Sequence, residues 1–232
     1  MNTSTPHSPT PGNSWRRWRY SFLAPLYDLG AAGHDAARRR AVKLLALAPG
    51  DRVLIVGVGT GQDLLFLPAN VQVTAVDLAP AMLERARRRH PQAEFAVMEG
   101  EHLDFPSASF DAVLLHQVLE VAARPEALLR ESARVLAISG RISVFDKFVP
   151  ADHRLAPWRR ALANALDVCF TTTKLVFEDL LREARAPLEI AADELCGQGP
   201  FRVVVLRRGA GRVDDRSDAV GVALPPGERA PA

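Results

Sequence analysis

The sequence has few cysteines and no long apolar run. Only two cysteines occur in 232 residues, Cys169 and Cys196, and neither belongs to a Cys-x-x-Cys or Cys/His pattern. This argues against a disulfide framework or a zinc site and is typical of a reducing compartment. The longest apolar runs, such as residues 53–58, are too short to cross a bilayer, and residues 1–14 lack the apolar core of a signal peptide. We therefore expect a cytoplasmic protein.

The charge balance is nearly even, since 29 Lys and Arg face 27 Asp and Glu and the formal net charge is +2. A protein that coats nucleic acid is usually much more basic, so we predict no nucleic-acid partner. Apolar residues make up 48% of the chain, which is typical of a globular protein with a sizeable core. The basic runs at 38–40 and 87–89 are predicted to be solvated helix faces.

The chain divides into two polar tails and one central domain. Residues 1–14 and 208–232 contain little to bury, so we predict disordered tails around a domain at 15–207. Within the domain, short apolar runs alternate with amphipathic segments, which predicts a doubly wound α/β fold ending in an antiparallel hairpin. The predicted strands are 53–57, 71–77, 94–98, 111–116, 140–147, 188–192 and 201–207. The predicted helices are 35–47, 61–67, 80–90, 125–136, 155–169 and 175–184.

A glycine-rich loop follows the first predicted strand. Gly57, Gly59 and Gly61 permit a tight turn and close approach of the backbone to a ligand. Asp77 ends the next predicted strand, where a carboxylate can accept hydrogen bonds from both ribose hydroxyls of an adenosine. The position of the third glycine of a dinucleotide fingerprint is occupied by Gln62, so a pyrophosphate is the poorer fit. The loop and Asp77 together predict a ligand that contains adenosine.

These segments resemble those of class I, Rossmann-like S-adenosylmethionine-dependent methyltransferases. The resemblance covers residues 20–207 and includes the acidic turn and helix start DLAPAML at 77–83 and the segment FPSASFD at 105–111. It implies an α/β fold with a seven-stranded, mostly parallel sheet, a C-terminal antiparallel hairpin and helices on both faces, with S-adenosyl-L-methionine as the cofactor. Less specifically, the segments FVP at 148–150, FTTT at 170–173 and CGQGPFR at 196–202 are similar to those of bacterial phosphatidylethanolamine N-methyltransferases, and the ubiquinone/menaquinone C-methyltransferases are relatives in style.

The resemblance also implies a set of cofactor-binding residues. The glycine loop would line the methionine part, Asp77 would hold the ribose, and Leu78 and Met82 would flank the adenine. The family usually has an acid at the position of Ile55, and Asp63 could replace it at the cofactor's ammonium group. The complete predicted set is Tyr27, Gly57, Val58, Gly59, Gly61, Asp63, Asp77, Leu78, Met82, Glu99, Gly100, Glu101 and His116.

His116 and Tyr27 are the candidates for catalysis, and no metal site is predicted. Methyl transfer needs alignment and exclusion of water, and it needs a base only where the acceptor keeps its proton. His116 ends the fourth predicted strand and is the best-placed titratable group, with a structural histidine as the alternative. Tyr27 could cap the cofactor pocket or pack as a buried aromatic residue.

Residues 15–27, WRRWRYSFLAPLY, combine aromatic and basic side chains. This composition is typical of an interfacial helix on anionic lipid, which predicts peripheral contact with the inner face of a membrane. An amphipathic lid over the cofactor within residues 15–47 has the same pattern, so both interpretations stay open.

The leading hypothesis is a methyltransferase acting on a small or lipid-like acceptor, such as an amino headgroup. The alternatives are a soluble quinone-like, phenolic or natural-product acceptor, or a cofactor-binding interaction protein without activity.

Overall fold

The computed structural model describes residues 34–149, 175–196 and 201–209. Tyr27, the segment 15–27 and the predicted helix at 155–169 lie outside these ranges. Within them, no helix has the length and apolar character needed to cross a membrane. The helices are α1 (Asp35–Leu45), α2 (Pro80–Arg89), α3 (Pro125–Val135) and α4 (Phe177–Ala184). The strands are β1 (Arg52–Val56), β2 (Gln72–Asp77), β3 (Glu94–Val97), β4 (Phe110–His116), β5 (Leu136–Lys147), β6 (Leu188–Leu195) and β7 (Phe201–Arg208).

The strands form one sheet with the order β3-β2-β1-β4-β5-β7-β6. Strands β1 to β5 pair in parallel, and β7 is antiparallel to both β5 and β6. This confirms the prediction of a mostly parallel, Rossmann-like sheet that closes with an antiparallel hairpin. The strand order reverses between β1 and β4, so a crevice opens at the carboxyl ends of these strands.

Both faces of the sheet are covered, as expected for strands that read as continuous apolar runs. Leu54 and Val56 of β1 pack in a core with α3 and α4. Val53 and Ile55 point to the other face and pack with α1 and α2. Since side chains alternate along a strand, one short segment supports two separate cores.

The predicted helix at 61–67 is wrong in type and length. The structure has a four-residue 3-10 helix, Asp63–Phe66, which ends where Leu67 becomes extended with ψ 143°. Pro68 follows directly, and a residue before proline is disfavoured in the helical region. The helix therefore ends after four residues, and Asp63 at its start is buried.

Strand β5 begins earlier than the predicted start at residue 140. Leu136 already pairs with Phe110, and the register shifts before Ala112 pairs with Arg141. Helix α3 ends at Val135, and the next residue, Leu136, is already extended and begins β5, so no separate turn joins the two elements.

Candidate active site

A cavity occupies the crevice where the strand order reverses. It lies between the glycine loop after β1, the ends of β2 and β3, and the turn after β4. The structure places most of the predicted cofactor residues in its wall: Gly57, Val58, Gly59, Asp63, Asp77, Leu78, Met82, Glu99, Gly100, Glu101 and His116. Gly61 instead lies against α2, because a Cβ there would come within 3.2 Å of Ala86.

Asp77 holds the glycine loop in place. Its Oδ2 accepts a hydrogen bond from the Gly59 N–H at 2.8 Å, and its Oδ1 accepts one from Ala79 at 2.8 Å. Burial raises the pKa of the Asp77 carboxyl, and the backbone N–H groups oppose that effect. Each oxygen keeps a second lone pair, so the carboxylate can also accept ribose hydroxyls.

One end of the cavity suits an adenine ring. Met82, Met98 and Leu128 contribute apolar side chains, and Glu99 lies in the same wall. Glu101 also lines the cavity, and its Oε1 accepts hydrogen bonds from the backbone of Ala123 at 2.9 Å and Arg124 at 3.3 Å. The Glu101 carboxylate therefore anchors the chain just before α3.

The opposite end of the cavity is built from a chain of polar side chains. Arg38 of α1 donates to Asp63 Oδ2 at 2.7 Å, and Asp63 Oδ1 lies 2.6 Å from His116 Nδ1. His116 Nε2 lies 2.9 Å from Ser143 Oγ on β5. Arg38 also donates to the Gln117 side-chain oxygen. All but Gln117 are buried, so these bonds form in a low-dielectric environment.

The Asp63 carboxylate makes more contacts with other side chains of the protein than the sequence indicates. Burial by itself would raise the pKa of the carboxyl, but His116 and Arg38 lower it from 3.8 to about 2. Both oxygens already accept from, or pair with, these two residues. Its predicted contact with the cofactor ammonium group stays a prediction, and it would have to share the carboxylate with Arg38 and His116.

His116 ends β4 as predicted, but both of its ring nitrogens are occupied by Asp63 and Ser143, and its side chain is 0% exposed. The geometry therefore favours a positioning role over proton transfer to an acceptor. The Asp–His–Ser order resembles a hydrolytic triad, but Ser143 is 0% exposed and is absent from the cavity wall. A nucleophile must reach its substrate, so we assign no acyl transfer to this set.

Arg38 and Gln117 are not among the residues predicted from the sequence. The prediction that residues 38–40 form a solvated helix face is wrong for Arg38, which is 5% exposed. A signal was present, because Arg38 shares its helical face with Ala41, Val42 and Leu45 at spacings of three, four and seven. Such a buried arginine requires acceptors, which can only be found once the fold is known. Ile55, where the family usually has an acid, is 1% exposed and packs in the core on the α1 and α2 side.

The turn after β4 forms one wall of the cavity and is held by Asp146. Its Oδ2 accepts hydrogen bonds from the N–H groups of Leu119 at 3.0 Å and Glu120 at 3.2 Å. Burial raises the pKa of Asp146 from 3.8 to about 7, against the lowering effect of these N–H groups. Asp146 thus ties β5 to the cavity wall from behind.

Replacing Asp63 with asparagine is expected to cost about 3 kcal/mol of unfolding free energy at pH 7, because the buried Arg38 loses its counter-charge. The lowered pKa of Asp63 means that its contribution is complete above about pH 4 and is lost as the pH falls to about 2. The difference between wild type and variant should therefore narrow over that range in urea denaturation. Asp179→Asn, which breaks an exposed pair with Arg182, serves as the control and should cost about 0.5 kcal/mol or less. Equal losses for the two variants would contradict the assigned role of Asp63.

The residues present fit S-adenosylmethionine. The Asp77 carboxylate matches a ribose, the apolar end matches adenine, and a buried cation stands at the other end. The Nε of Arg38 is buried and has no hydrogen-bond partner among the described residues. A buried N–H group without an acceptor lowers the stability of the folded protein, and the carboxylate of the cofactor's methionine part would provide that acceptor.

Comparisons with known proteins identify the family of this chain. A family described as "Methyltransferase domain" matches residues 54–144. The phosphatidylethanolamine N-methyltransferase of Cereibacter sphaeroides is 33% identical over 157 residues, which cover 65% of this chain and 74% of that protein. A demethylmenaquinone methyltransferase of Tropheryma whipplei (strain Twist) is 35% identical over 127 residues, and the match covers 51% of this chain and about half, 53%, of that protein. Among solved structures, the [4+2]-cyclase SpnF matches with a TM-score of 0.70 and 18% identity, covering 89% of this chain and 100% of that one.

The chain therefore belongs to the class I, Rossmann-like S-adenosylmethionine-dependent methyltransferases, and its cofactor is S-adenosyl-L-methionine. The likeness to SpnF concerns the fold alone. A fold that is shared with a cyclase does not by itself specify the reaction.

Proposed function

We propose that this protein transfers a methyl group from S-adenosyl-L-methionine to a lipid-like acceptor, with phosphatidylethanolamine as the first candidate. The observation that carries the proposal is the cavity itself, which has a carboxylate at Asp77 that suits a ribose and a buried cation at Arg38. The similarity to a phosphatidylethanolamine N-methyltransferase, which extends over 74% of that protein, supports the choice of acceptor.

The protein's own contribution to the reaction is alignment and exclusion of water. When bound, the sulfonium cofactor supplies an activated methyl carbon, and the acceptor atom displaces the thioether in line with the breaking bond. Arg38 would hold the cofactor carboxylate, and Asp77 would fix the ribose with the loop that carries Gly59. Positioning of this kind can supply several kcal/mol of the rate enhancement.

A quinol is the second candidate acceptor. It is supported by the identity to a demethylmenaquinone methyltransferase, although the match spans only about half of that protein. In that reaction the new bond would form to a ring carbon of the reduced quinone, and the ring proton would leave to water. The hypothesis that residues 15–27 contact a membrane is compatible with either acceptor, because a membrane can carry both.

The proposal is tested by titrating the full chain with S-adenosylhomocysteine in a calorimeter and then measuring methyl transfer from labelled S-adenosylmethionine. The acceptors are vesicles of phosphatidylethanolamine and, separately, 1,4-naphthoquinol kept reduced with dithionite. Cofactor binding and turnover of the vesicles would support the first candidate, and turnover of the quinol alone would support the second. Binding of the cofactor product without turnover of either acceptor would favour an interaction protein without activity.

A further inference from the structure

Gln117 has an unusual backbone conformation next to the cavity. It follows β4 directly and has φ +55°, although it is not a glycine. Its N–H donates a hydrogen bond to the Phe145 carbonyl at 2.6 Å, which holds the residue in this conformation. A side-chain-bearing residue in the left-handed region costs about 1 kcal/mol, and such strain is concentrated at functional sites. The conformation therefore calls for an explanation in terms of what the side chain does.

Arg38 determines which way the Gln117 amide faces. The Arg38 guanidinium donates to the amide oxygen, and arginine has only donors, so the oxygen must be the atom that faces it. Arg38 itself is fixed by the 2.7 Å ion pair with Asp63. The amide NH₂ group of Gln117 is thus directed away from Arg38, and among the described residues no acceptor is paired with it.

Gln117 lies in the part of the cavity where we expect the methyl acceptor to bind. Its side chain lines the cavity together with Arg38, Asp63 and His116, whereas Asp77 and Glu99 lie where the adenosine is expected. Because the methyl group lies at the methionine end of the cofactor, an acceptor must approach there. Arg38 and Asp63 form an ion pair, so their summed charge at this end of the cavity is close to zero. The Asp63 carboxylate is already paired and does not take up the neutral Gln117 donor.

We infer that the Gln117 amide donates a hydrogen bond to an oxygen atom of the methyl acceptor, and that Arg38 is the positioning residue that aims it. This inference rests on the proposed function and narrows the acceptor class to molecules with an anionic or hydroxyl oxygen close to the methylated atom. A quinol oxygen and a lipid phosphodiester oxygen both satisfy this requirement. A hydrogen bond from Gln117 would align the acceptor atom with the methyl group, and a misalignment of about 1 Å can cost about 100-fold in rate.

The test compares Gln117→Glu and Gln117→Met with wild type. The glutamate keeps the shape and can still accept from Arg38, but it replaces the donor with an acceptor, and the methionine removes polarity altogether. Gln72→Glu is the matched control, because Gln72 is exposed and begins β2 at the opposite end of the sheet. For each protein, S-adenosylhomocysteine affinity is measured by calorimetry and kcat/KM is measured with both probes, 1,4-naphthoquinol and phosphatidylethanolamine vesicles.

Both Gln117 variants are expected to bind S-adenosylhomocysteine within about 3-fold of wild type and to lose about 100-fold in kcat/KM through misalignment of the acceptor, while Gln72→Glu retains wild-type values. A loss with the quinol identifies a quinol oxygen as the partner, and a loss with the vesicles identifies a phosphodiester oxygen. Unchanged kcat/KM in both variants would overturn the inference, as would weaker S-adenosylhomocysteine binding with unchanged kcat, since Gln117 would then belong to the cofactor. Failure of the wild type to bind S-adenosylhomocysteine would instead refute the proposed function.

Discussion

Asp77→Asn is expected to weaken S-adenosylhomocysteine binding by about 100-fold or more. The Asp77 carboxylate accepts from Gly59 and Ala79 with separate oxygens, and in the proposed complex it would also accept from the ribose hydroxyls. Asparagine has one acceptor oxygen and would turn an NH₂ group toward a backbone N–H or toward the ribose. The loss of charge-assisted hydrogen bonds, at about 1.5–3 kcal/mol each, accounts for an effect of this size.

The measurement is isothermal titration calorimetry on wild type and variant at the same pH. Asp104→Asn is the matched control, because Asp104 is exposed and is not part of the cavity wall. Thermal melts of both variants show whether the fold is retained. If Asp77→Asn bound S-adenosylhomocysteine as tightly as wild type, the assignment of the adenosine site to this cavity would be wrong.

Gly59→Ala is expected to abolish detectable S-adenosylhomocysteine binding while the protein remains folded. Gly59 has φ +55°, and a Cβ placed there meets no protein atom within 4 Å. The added methyl group would therefore enter the cavity itself, where the backbone is expected to contact the cofactor. The backbone strain alone should cost about 1 kcal/mol of unfolding free energy.

Gly50→Ala separates backbone strain from obstruction of the cavity. Gly50 also has a positive φ, +86°, and a Cβ there likewise meets nothing within 4 Å, but the residue lies outside the cavity wall. It should lower the melting temperature by a few degrees, as Gly59→Ala does, and leave binding unchanged. Equal binding by the two alanine variants would mean that the cofactor does not pass over Gly59.

The parallel sheet could be predicted from the sequence because its signals are local. Apolar runs such as that of β1 and the alternation with amphipathic segments define strands and helices within a few residues. The predictions of secondary structure are wrong where an element is short or its strand pairing is irregular. The prediction of an ordinary helix at 61–67 is wrong because Leu67 precedes Pro68 and is therefore disfavoured in the helical region, which leaves only the 3-10 helix Asp63–Phe66. The early start of β5 depends on pairing of Leu136 with Phe110, which no local pattern encodes.

The glycine loop and Asp77 could be predicted as a ligand site from the sequence by itself, because their spacing follows from strand–turn–helix geometry, and the resemblance to the family added Leu78, Met82, Glu99 and Gly100. The polar end of the cavity was decided only by the tertiary structure. Arg38 and Gln117 are 79 residues apart, and Asp63 and His116 are 53 apart. Whether an arginine in a basic run is solvated or buried depends on which acceptors the folded sheet brings to it. Burial and long-range hydrogen bonding therefore determined which acceptors Arg38 contacts, and they placed Asp63 and Ser143 at the two ring nitrogens of His116.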